Sequence, residues 1–338
     1  MPAHLPAVGG QAVVEGVMMR APGATSVAVR RPDGSIVVRV RAASRLAARM
    51  PWLGKPLMRG IAVLLETLSD GISALNFSAE QAMPEGKTGN TGKAAIVGSL
   101  FISFAFAFLL FAVVPHALTL WIGWLLGSEA LEGGTAVVFH LVDGLVKVLI
   151  FLGFLWVMSL MGDMRRVFEY HGAEHQAVHA FEAGLDPIPD NMSRFPTEHA
   201  RCGTAFLVTV IGVSIFVFAG VFPLMPVLVD SRWLNQLLYV LIKAPLVLPI
   251  AALSYELIRL AGNRQDSILG RVLSAPGIFF QHITTKPPDR SQQEVASVAL
   301  KTAMRPDCAG VGPLKSEAML AFESYEAFKA SMEGAAGA

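Results

Sequence analysis

Apolar residues dominate four long stretches in the middle of the chain, and each stretch is long enough to cross a bilayer. A membrane-spanning helix needs about 20 residues, each adding 1.5 Å of length. The pattern predicts spans at 94–126, 136–161, 204–228 and 237–260. The links inside the first pair and inside the second pair of spans are short. The fold class predicted is therefore mainly α, a polytopic helical membrane protein with about four transmembrane helices.

The segment before the first span has two short runs of apolar and β-branched residues around a turn sequence. Val27–Arg30 and Ile36–Val40 flank Arg31-Pro-Asp-Gly-Ser, whose Pro and Gly supply the backbone angles that a turn needs. We predict a β-hairpin there, as part of a small β element at residues 1–50.

Apolar residues at helical spacing predict further helices outside the spans. Residues 55–82 are expected to lie in the membrane interface or to pack on the helical bundle. The apolar stretch at 268–283 is too short to span and is broken by Pro276, so a re-entrant or interfacial segment is expected. Short amphipathic helices are predicted at 291–304 and 317–332.

These patterns divide the chain into consecutive segments. They are the β element at 1–50, an amphipathic helix at 55–82, a Gly/Lys/Thr-rich linker at 84–93, spans at 94–161, a loop at 162–203, spans at 204–261 and a C-terminal region at 262–338. The loop at 162–203 contains most of the candidate metal ligands and catalytic residues.

Charge adds an orientation to this picture. The chain is 53% hydrophobic and 16% charged with a net charge of +1, so its composition points to a lipid bilayer and gives no sign of nucleic-acid binding. Lys and Arg concentrate in the N-terminal region, in the 162–203 loop and after the last span, while the two short loops contribute only Arg232. The positive-inside rule then predicts that both termini and the central loop lie in the cytoplasm.

The sequence His171-Gly-Ala-Glu174-His175 carries the clearest chemical signal. Its two imidazoles are four residues apart, so on a helix they project from one face, one turn apart. The spacing matches the H-x-x-E-H motif of the inverzincin metallopeptidases, in which both histidines bind zinc and the glutamate activates a water. Glu174 is therefore the predicted catalytic base of a metal-dependent hydrolase.

Further candidate ligands lie nearby in the sequence. If 163–183 is a helix that ends at Gly184, then His179 and Glu182 lie on the same face as His171 and His175. The loop that follows brings His199 and Cys202 just before the third span. One of these four residues would supply the third ligand and leave a fourth zinc position open for water, while a cysteine ligand would favour zinc over magnesium.

Other functions stay open at this point. The same cluster could be a structural polar network, in which case the protein is a membrane scaffold or assembly factor with a membrane-protein partner or a second copy of itself. A transporter is a third possibility, because Asp143, Lys147 and Lys243 fall inside spans, where ionisable residues are often functional. Asp143 and Lys147 are also spaced to form an internal salt bridge. Glu15 or Arg20 could point at the histidine cluster.

Several motifs resemble those of the YqhQ-like family of bacterial membrane proteins, which are sometimes described as predicted metal-dependent enzymes. The matching motifs are Gly10–Arg20, His171–His175, Arg201–Thr204, Ser254–Glu256, Pro276-Gly277 and Gln281–Lys286. The resemblance covers residues 8–304 and implies a multi-span protein of the bacterial inner (cytoplasmic) membrane with a suspected metal. Gln176 and Ala200 depart from the family's motifs, but neither is a proposed ligand.

Overall fold

The computed structural model describes residues 6, 8–43, 50–83, 93–128, 136–200, 202–262, 267–304 and 317–336 of the chain of 338 residues. Most of the predicted linker at 84–93 lies outside the described residues, as do Arg201 and Cys308.

A five-stranded antiparallel sheet stands next to the helical part of the chain. Its strands follow each other in sequence order: β1 Gly9–Val13, β2 Gly16–Arg20, β3 Ala24–Arg30, β4 Ile36–Ala42 and β5 Glu317–Phe322. The predicted hairpin is β3 and β4, with Val27 opposite Arg39. Its turn includes Gly34, whose φ of 90° is a conformation that favours glycine.

Most of the remaining described residues form helices. They are α1 Met58–Ala82, α2 Lys93–Phe108, α3 Val114–Leu126, α4 Val137–Leu160, α5 Gly162–Glu182, α6 Pro189–Met192, α7 Gly203–Val221, α8 Arg232–Gly262, α9 Ile268–Thr284, α10 Arg290–Met304 and α11 Tyr325–Ala336. A π-helical turn at Leu109–Val113 joins α2 to α3, and short 3-10 turns occur at Pro51–Gly54 and Phe222–Leu224.

Among the described residues, four helical segments are long and apolar enough to cross a membrane, by length and composition. They are Phe101–Leu126, Val137–Leu160, Phe206–Leu224 and Trp233–Leu260. Their bounds agree with the predicted spans to within a few residues, apart from the start of the first, which the sequence placed earlier. The mainly α fold with four candidate membrane helices and a small sheet is confirmed.

The sheet is covered by helices on both faces. On one face, Val17 and Val38 pack with Tyr170 of α5 and Val298 of α10, in the largest cluster of buried apolar residues among the described ones. On the other face, a smaller cluster joins strand residues to α1, where Phe77 is buried. Alternate residues of a strand point to opposite faces, which is why β2, β3 and β4 each supply both layers.

The C-terminal tail corrects two expectations. Residues 317–332 were predicted to form one helix, but β5 ends at Phe322 and α11 begins at Tyr325. The β element was expected from residues 1–50 alone, yet β5 pairs with β4 along its whole length, with Val38 opposite Leu320. The strand pairing outweighs the local helical spacing because the β4 edge offers unpaired backbone donors and acceptors.

Helix α9 is continuous through Pro276, where the sequence predicted a break. The helix runs without interruption from Ile268 to Thr284 and packs against α7 and α8. Proline removes one helical hydrogen bond, and packing against neighbouring helices offsets that loss. Helix α1 packs on the bundle, where Gly60 lies against Ala252 of α8, which is one of the two arrangements expected for it.

Candidate metal centre

Helix α5 begins directly after the second candidate span and carries the histidine motif through its buried middle section. It ends as predicted: the N–H of Gly184, whose φ is 74°, donates to the carbonyl of Phe181, and the N–H of Leu185 donates to that of Ala180. His171, His175 and His179 therefore lie on one face, on successive turns.

The two motif histidines are fixed by carbonyl groups from other parts of the chain. The Nδ1 atom of His171 lies 2.9 Å from the Thr284 carbonyl oxygen, and Nδ1 of His175 lies 2.5 Å from that of Thr197. A carbonyl oxygen only accepts, so both Nδ1 atoms carry the proton. In each ring Nε2 is then the nitrogen left to face the other donor atoms, as in a metal-binding histidine whose second nitrogen is held by a hydrogen bond.

The thiol of Cys202 completes a group of three donor atoms with these histidines. Its Sγ lies 3.2 Å from Nε2 of His171, and the ligand atoms of His171, His175 and Cys202 all lie within 4.8 Å of one another. The ligand atoms of a tetrahedral zinc are about 3.4 to 3.7 Å apart, given bond lengths of about 2.0 to 2.3 Å. A modest contraction of the group would therefore accommodate the ion.

Among the three donor atoms, Nε2 of His175 is the one that makes no hydrogen bond in the described structure. The residue is 1% exposed, and its Nε2 has no hydrogen-bond partner in the structure. Burial of an unpaired polar atom costs about 1 to 3 kcal/mol. Burial also holds the pKa of His175 well below its usual value, and the nearby His171 acts in the same direction, so this ring is neutral and available as a ligand.

Glu174 borders the same three-residue group. Its Oε2 lies 3.5 Å from Nε2 of His175, and its side chain accepts a hydrogen bond from the backbone N–H of Gly10. Burial raises the pKa of this carboxyl to about 8. A side chain at position 10 would meet Met18 and Glu174, so glycine lets β1 approach the carboxyl closely.

The other predicted ligands form a second group one turn along α5. His179, Glu182 and His199 also have ligand atoms within 4.8 Å of one another, and Nε2 of His199 lies 3.3 Å from Oε2 of Glu182. His179 is held by the Glu198 carbonyl, 2.8 Å from its Nε2. All six predicted ligands are thus brought close together, but as two groups, and Cys202 is the residue that stands with the motif histidines.

Two contacts that the sequence did not reveal hold the loop and the helix in register. Gln281 of α9 accepts from the N–H of His199 at 2.7 Å and donates to its carbonyl at 2.9 Å. A Cβ at Gly172 would lie 2.2 Å from the carbonyl oxygen of Lys286, so glycine in the motif allows the chain after α9 to cross α5. The motif Gln281–Lys286 was noted in the sequence, without a role.

A cavity of about 570 Å³ opens beside the site. Glu174, His175 and Cys202 contribute to its wall, so a molecule inside it would reach the candidate ligands. The rest of the wall comes mostly from β1, β2, α1 and the ends of α7 and α8 nearest to the site. Openings of this size suit small-molecule ligands.

Three polar residues singled out in the sequence have other partners. Glu15 accepts from Arg166 at 2.6 Å, on an earlier turn of α5. Arg20 borders the cavity, where it pairs with Glu66 at 2.6 Å. Glu256, the last residue of the motif Ser254–Glu256, accepts from Nε of Arg59 at 2.7 Å. Of the three, only Arg20 reaches the site.

A separate polar network lies inside the bundle. Asp143 of α4 accepts from Lys243 of α8 at 3.1 Å and lies 3.7 Å from Lys147, the pair predicted from its spacing. Lys243 also lies 3.2 Å from Nδ1 of His116, so the network links three of the candidate spans. All of these side chains are buried.

Comparisons with known proteins agree with the motifs. The family described as "Protein of unknown function (DUF1385)" matches residues 55–306. The "Uncharacterized protein YqhQ" of Bacillus subtilis (strain 168) is 30% identical over 315 residues, which cover 89% of this chain and 93% of that protein. No solved structure matches. The resemblance seen in the motifs is confirmed, and the chain belongs to the DUF1385 family of YqhQ-like proteins.

Proposed function

We propose that the protein is a metal-dependent hydrolase in which His171, His175 and Cys202 hold a divalent transition metal, most simply zinc. The observation that carries this proposal is the buried Nε2 of His175, which makes no hydrogen bond and lies within 4.8 Å of the other two donor atoms. One thiolate and two neutral imidazoles suit zinc better than magnesium or calcium. Three protein ligands leave a fourth position open, as in catalytic zinc sites.

The metal would supply Lewis acidity, polarising a substrate carbonyl and lowering the pKa of a water molecule. Glu174 is the general base in this proposal. Its carboxyl is buried next to His175 and borders the cavity. The positive charge of a metal on the three ligands would favour its ionised form, which can take a proton from the attacking water and return it to the leaving group. The chain's own contribution is thus a shielded carboxyl at a fixed distance from the ligands.

The reaction would take place at the cytoplasmic surface of the bacterial inner membrane. Helix α5 directly follows one candidate span, and Cys202 directly precedes the helix that contains another. The excess of Lys and Arg in the N-terminal region and the central loop supports a cytoplasmic location for this end of the bundle.

Cobalt substitution tests the ligand assignment. Co²⁺ bound by one thiolate and two imidazoles gives visible absorption bands and a sulfur charge-transfer band. We expect both in the detergent-purified protein after Co²⁺ loading. Cys202→Ser should remove the charge-transfer band. Glu182→Gln, in the second group, is the matched control and should leave the bands unchanged. Co²⁺ binding that is lost in Glu182→Gln but unchanged in Cys202→Ser would contradict the assignment.

The hydrolase assignment is tested by turnover of fluorogenic esters and amides. Glu174→Gln should keep the cobalt spectrum and abolish turnover, because it removes the base and leaves the three ligands in place. Turnover that survives this change, or survives metal removal by a chelator, would contradict the mechanism. If the protein is well folded but binds no metal, the alternative function of a membrane scaffold or assembly factor is favoured.

A further inference from the structure

The cavity beside the site has apolar walls that come from helices at the membrane boundary. Val63 of α1, Phe206 of α7 and Ile258 of α8 all line it. Phe206 is the first residue of one candidate span, and Ile258 lies in the last turn of another. The cavity therefore extends from the candidate ligands to the ends of two candidate spans.

Helix α1, which forms one wall, is apolar on two sides. Val63 and Leu64 face the cavity, while Leu65 and Leu68 are 50% and 43% exposed. Exposed leucines on a helix that packs against the end of a span are typical of an element lying in the bilayer interface. An apolar chain in the bilayer would thus be separated from the cavity by a single helix.

The polar residues of the cavity do not favour an anionic ligand. Arg20 is the only Lys or Arg among the described residues that line it, and its guanidinium is paired with Glu66 at 2.6 Å and approaches Asp70 at 3.7 Å. Asp70 and Glu174 also line the cavity. A phosphate group would meet carboxyl groups and an already paired arginine, whereas a neutral ester or amide would not.

We infer that the substrate is a bilayer-borne amphiphile with one apolar acyl chain, which lies between α1 and the ends of α7 and α8, and a neutral ester or amide carbonyl at the candidate ligands. The inference rests on the proposed hydrolase function. In the reaction, water adds to the acyl carbon, and the bond from that carbon to oxygen or nitrogen breaks. Glu174 transfers the proton from water to the leaving alcohol or amine. A fatty acid is the second product, and no oxidant or reductant is needed.

A series of alkyl hydroxamates tests this inference on the Co²⁺-loaded full-length protein in detergent. The hydroxamate group binds the metal and perturbs its visible spectrum, which gives an apparent Kd for acetohydroxamate and for its octanoyl and dodecanoyl analogues. We expect the octanoyl compound to bind roughly a hundredfold or more tightly than acetohydroxamate, because its methylenes enter the apolar cavity.

Two substitutions on α1 separate binding in the cavity from partition into the micelle. Val63→Trp fills the cavity wall and should reduce the chain-length gain to less than about tenfold. Leu65→Trp, on the exposed side of the same helix, should keep the full gain. If Val63→Trp does not give a monodisperse sample, Val63→Phe serves in its place.

The outcomes are distinguishable. A cobalt spectrum that responds equally to all chain lengths would overturn the acyl-chain inference and leave the metal site intact. A chain-length gain that persists in the Val63 variant would overturn it as well, because the chain would then lie elsewhere. Failure to bind Co²⁺ at all would overturn the proposed function, and the inference with it.

Discussion

The Sγ atom of Cys202 lies 3.2 Å from Nε2 of His171, which connects the helix that follows one candidate span to the residue that precedes another. The Nδ1 proton of His171 is engaged by the Thr284 carbonyl, so Nε2 is the nitrogen that faces the thiol. A metal ion held by both atoms would take the place of the proton between them. Through these two contacts His171 joins Cys202 and Thr284, which are far from it in the sequence.

Glu174→Gln is predicted to stabilise the metal-free protein in a pH-dependent way. Burial raises the pKa of Glu174 to about 8 from 4.5. Below pH 4.5 the carboxyl is neutral in both states. As pH rises toward 8 only the unfolded chain loses the proton, so the folded state loses stability. The increase in the free energy of unfolding that Glu174→Gln brings should be near zero at pH 4.5 and roughly 3 kcal/mol at pH 7.

The measurement is the apparent melting temperature in detergent with a chelator, at pH 5 and at pH 8. Glu169→Gln on the same helix is the control. Glu169 accepts a hydrogen bond from Gln292 at 2.9 Å, and the amide oxygen of a glutamine could accept the same bond. The melting temperature of that variant should not rise at either pH. A Glu174→Gln variant that melts lower than the natural protein at pH 8 would contradict the account and support a structural role for the carboxylate.

Gly172→Ala should weaken metal binding without removing a ligand. The added Cβ would lie 2.2 Å from the Lys286 carbonyl oxygen, so the segment that holds His171 through Thr284 must move. Disturbing such outer contacts costs about 10- to 100-fold in metal affinity. Competition with a chromophoric chelator measures the effect. Gly162→Ala, where the Cβ meets no atom within 4 Å, is the control, and equal affinities of the two variants would contradict the prediction.

Phe328→Ala should destabilise the protein because the C-terminal tail is part of the core. Phe328 is fully buried in the main apolar cluster, and its ring centroid lies 5.2 Å from that of Phe322. Loss of a buried phenylalanine costs about 3 to 5 kcal/mol. Phe279→Ala, at a residue that is 58% exposed, is the control. Similar melting temperatures for the two variants would show that the tail does not dock.

Asp143→Asn should destabilise the helical bundle. The carboxylate accepts from Lys243 at 3.1 Å and lies 3.7 Å from Lys147, all in buried positions. Breaking a buried ion pair costs about 3 to 5 kcal/mol because the remaining charge is uncompensated. Adding Lys243→Met should recover part of the melting temperature, since it removes one of the two cations. An unchanged melting temperature in the single variant would contradict this role.

Local patterns predicted the elements well because each pattern depends on neighbouring residues. The four spans, the hairpin around Gly34 and the end of α5 at Gly184 all followed from apolar periodicity and turn chemistry. The break expected at Pro276 was wrong, because packing on α7 and α8 sustains the helix through the proline.

Contacts between distant parts of the chain were not predictable in the same way. The pairing of β5 with β4 joins residues more than 270 positions apart, such as Val38 and Leu320, and no local signal announces it. The sequence left the third ligand open among four residues. Cys202 is the one that lies beside the motif histidines, whose Nδ1 atoms face the backbone carbonyl groups of Thr284 and Thr197. Contacts with backbone carbonyl groups leave no trace in residue identity.

The metal content of the purified protein tests the central claim most directly. Inductively coupled plasma mass spectrometry should find close to one equivalent of zinc, or of another divalent transition metal, in the natural protein. His175→Ala and Cys202→Ser should lose it, while Glu182→Gln should retain it. Less than about a tenth of an equivalent in a monodisperse natural sample, even after incubation with zinc, would contradict the account.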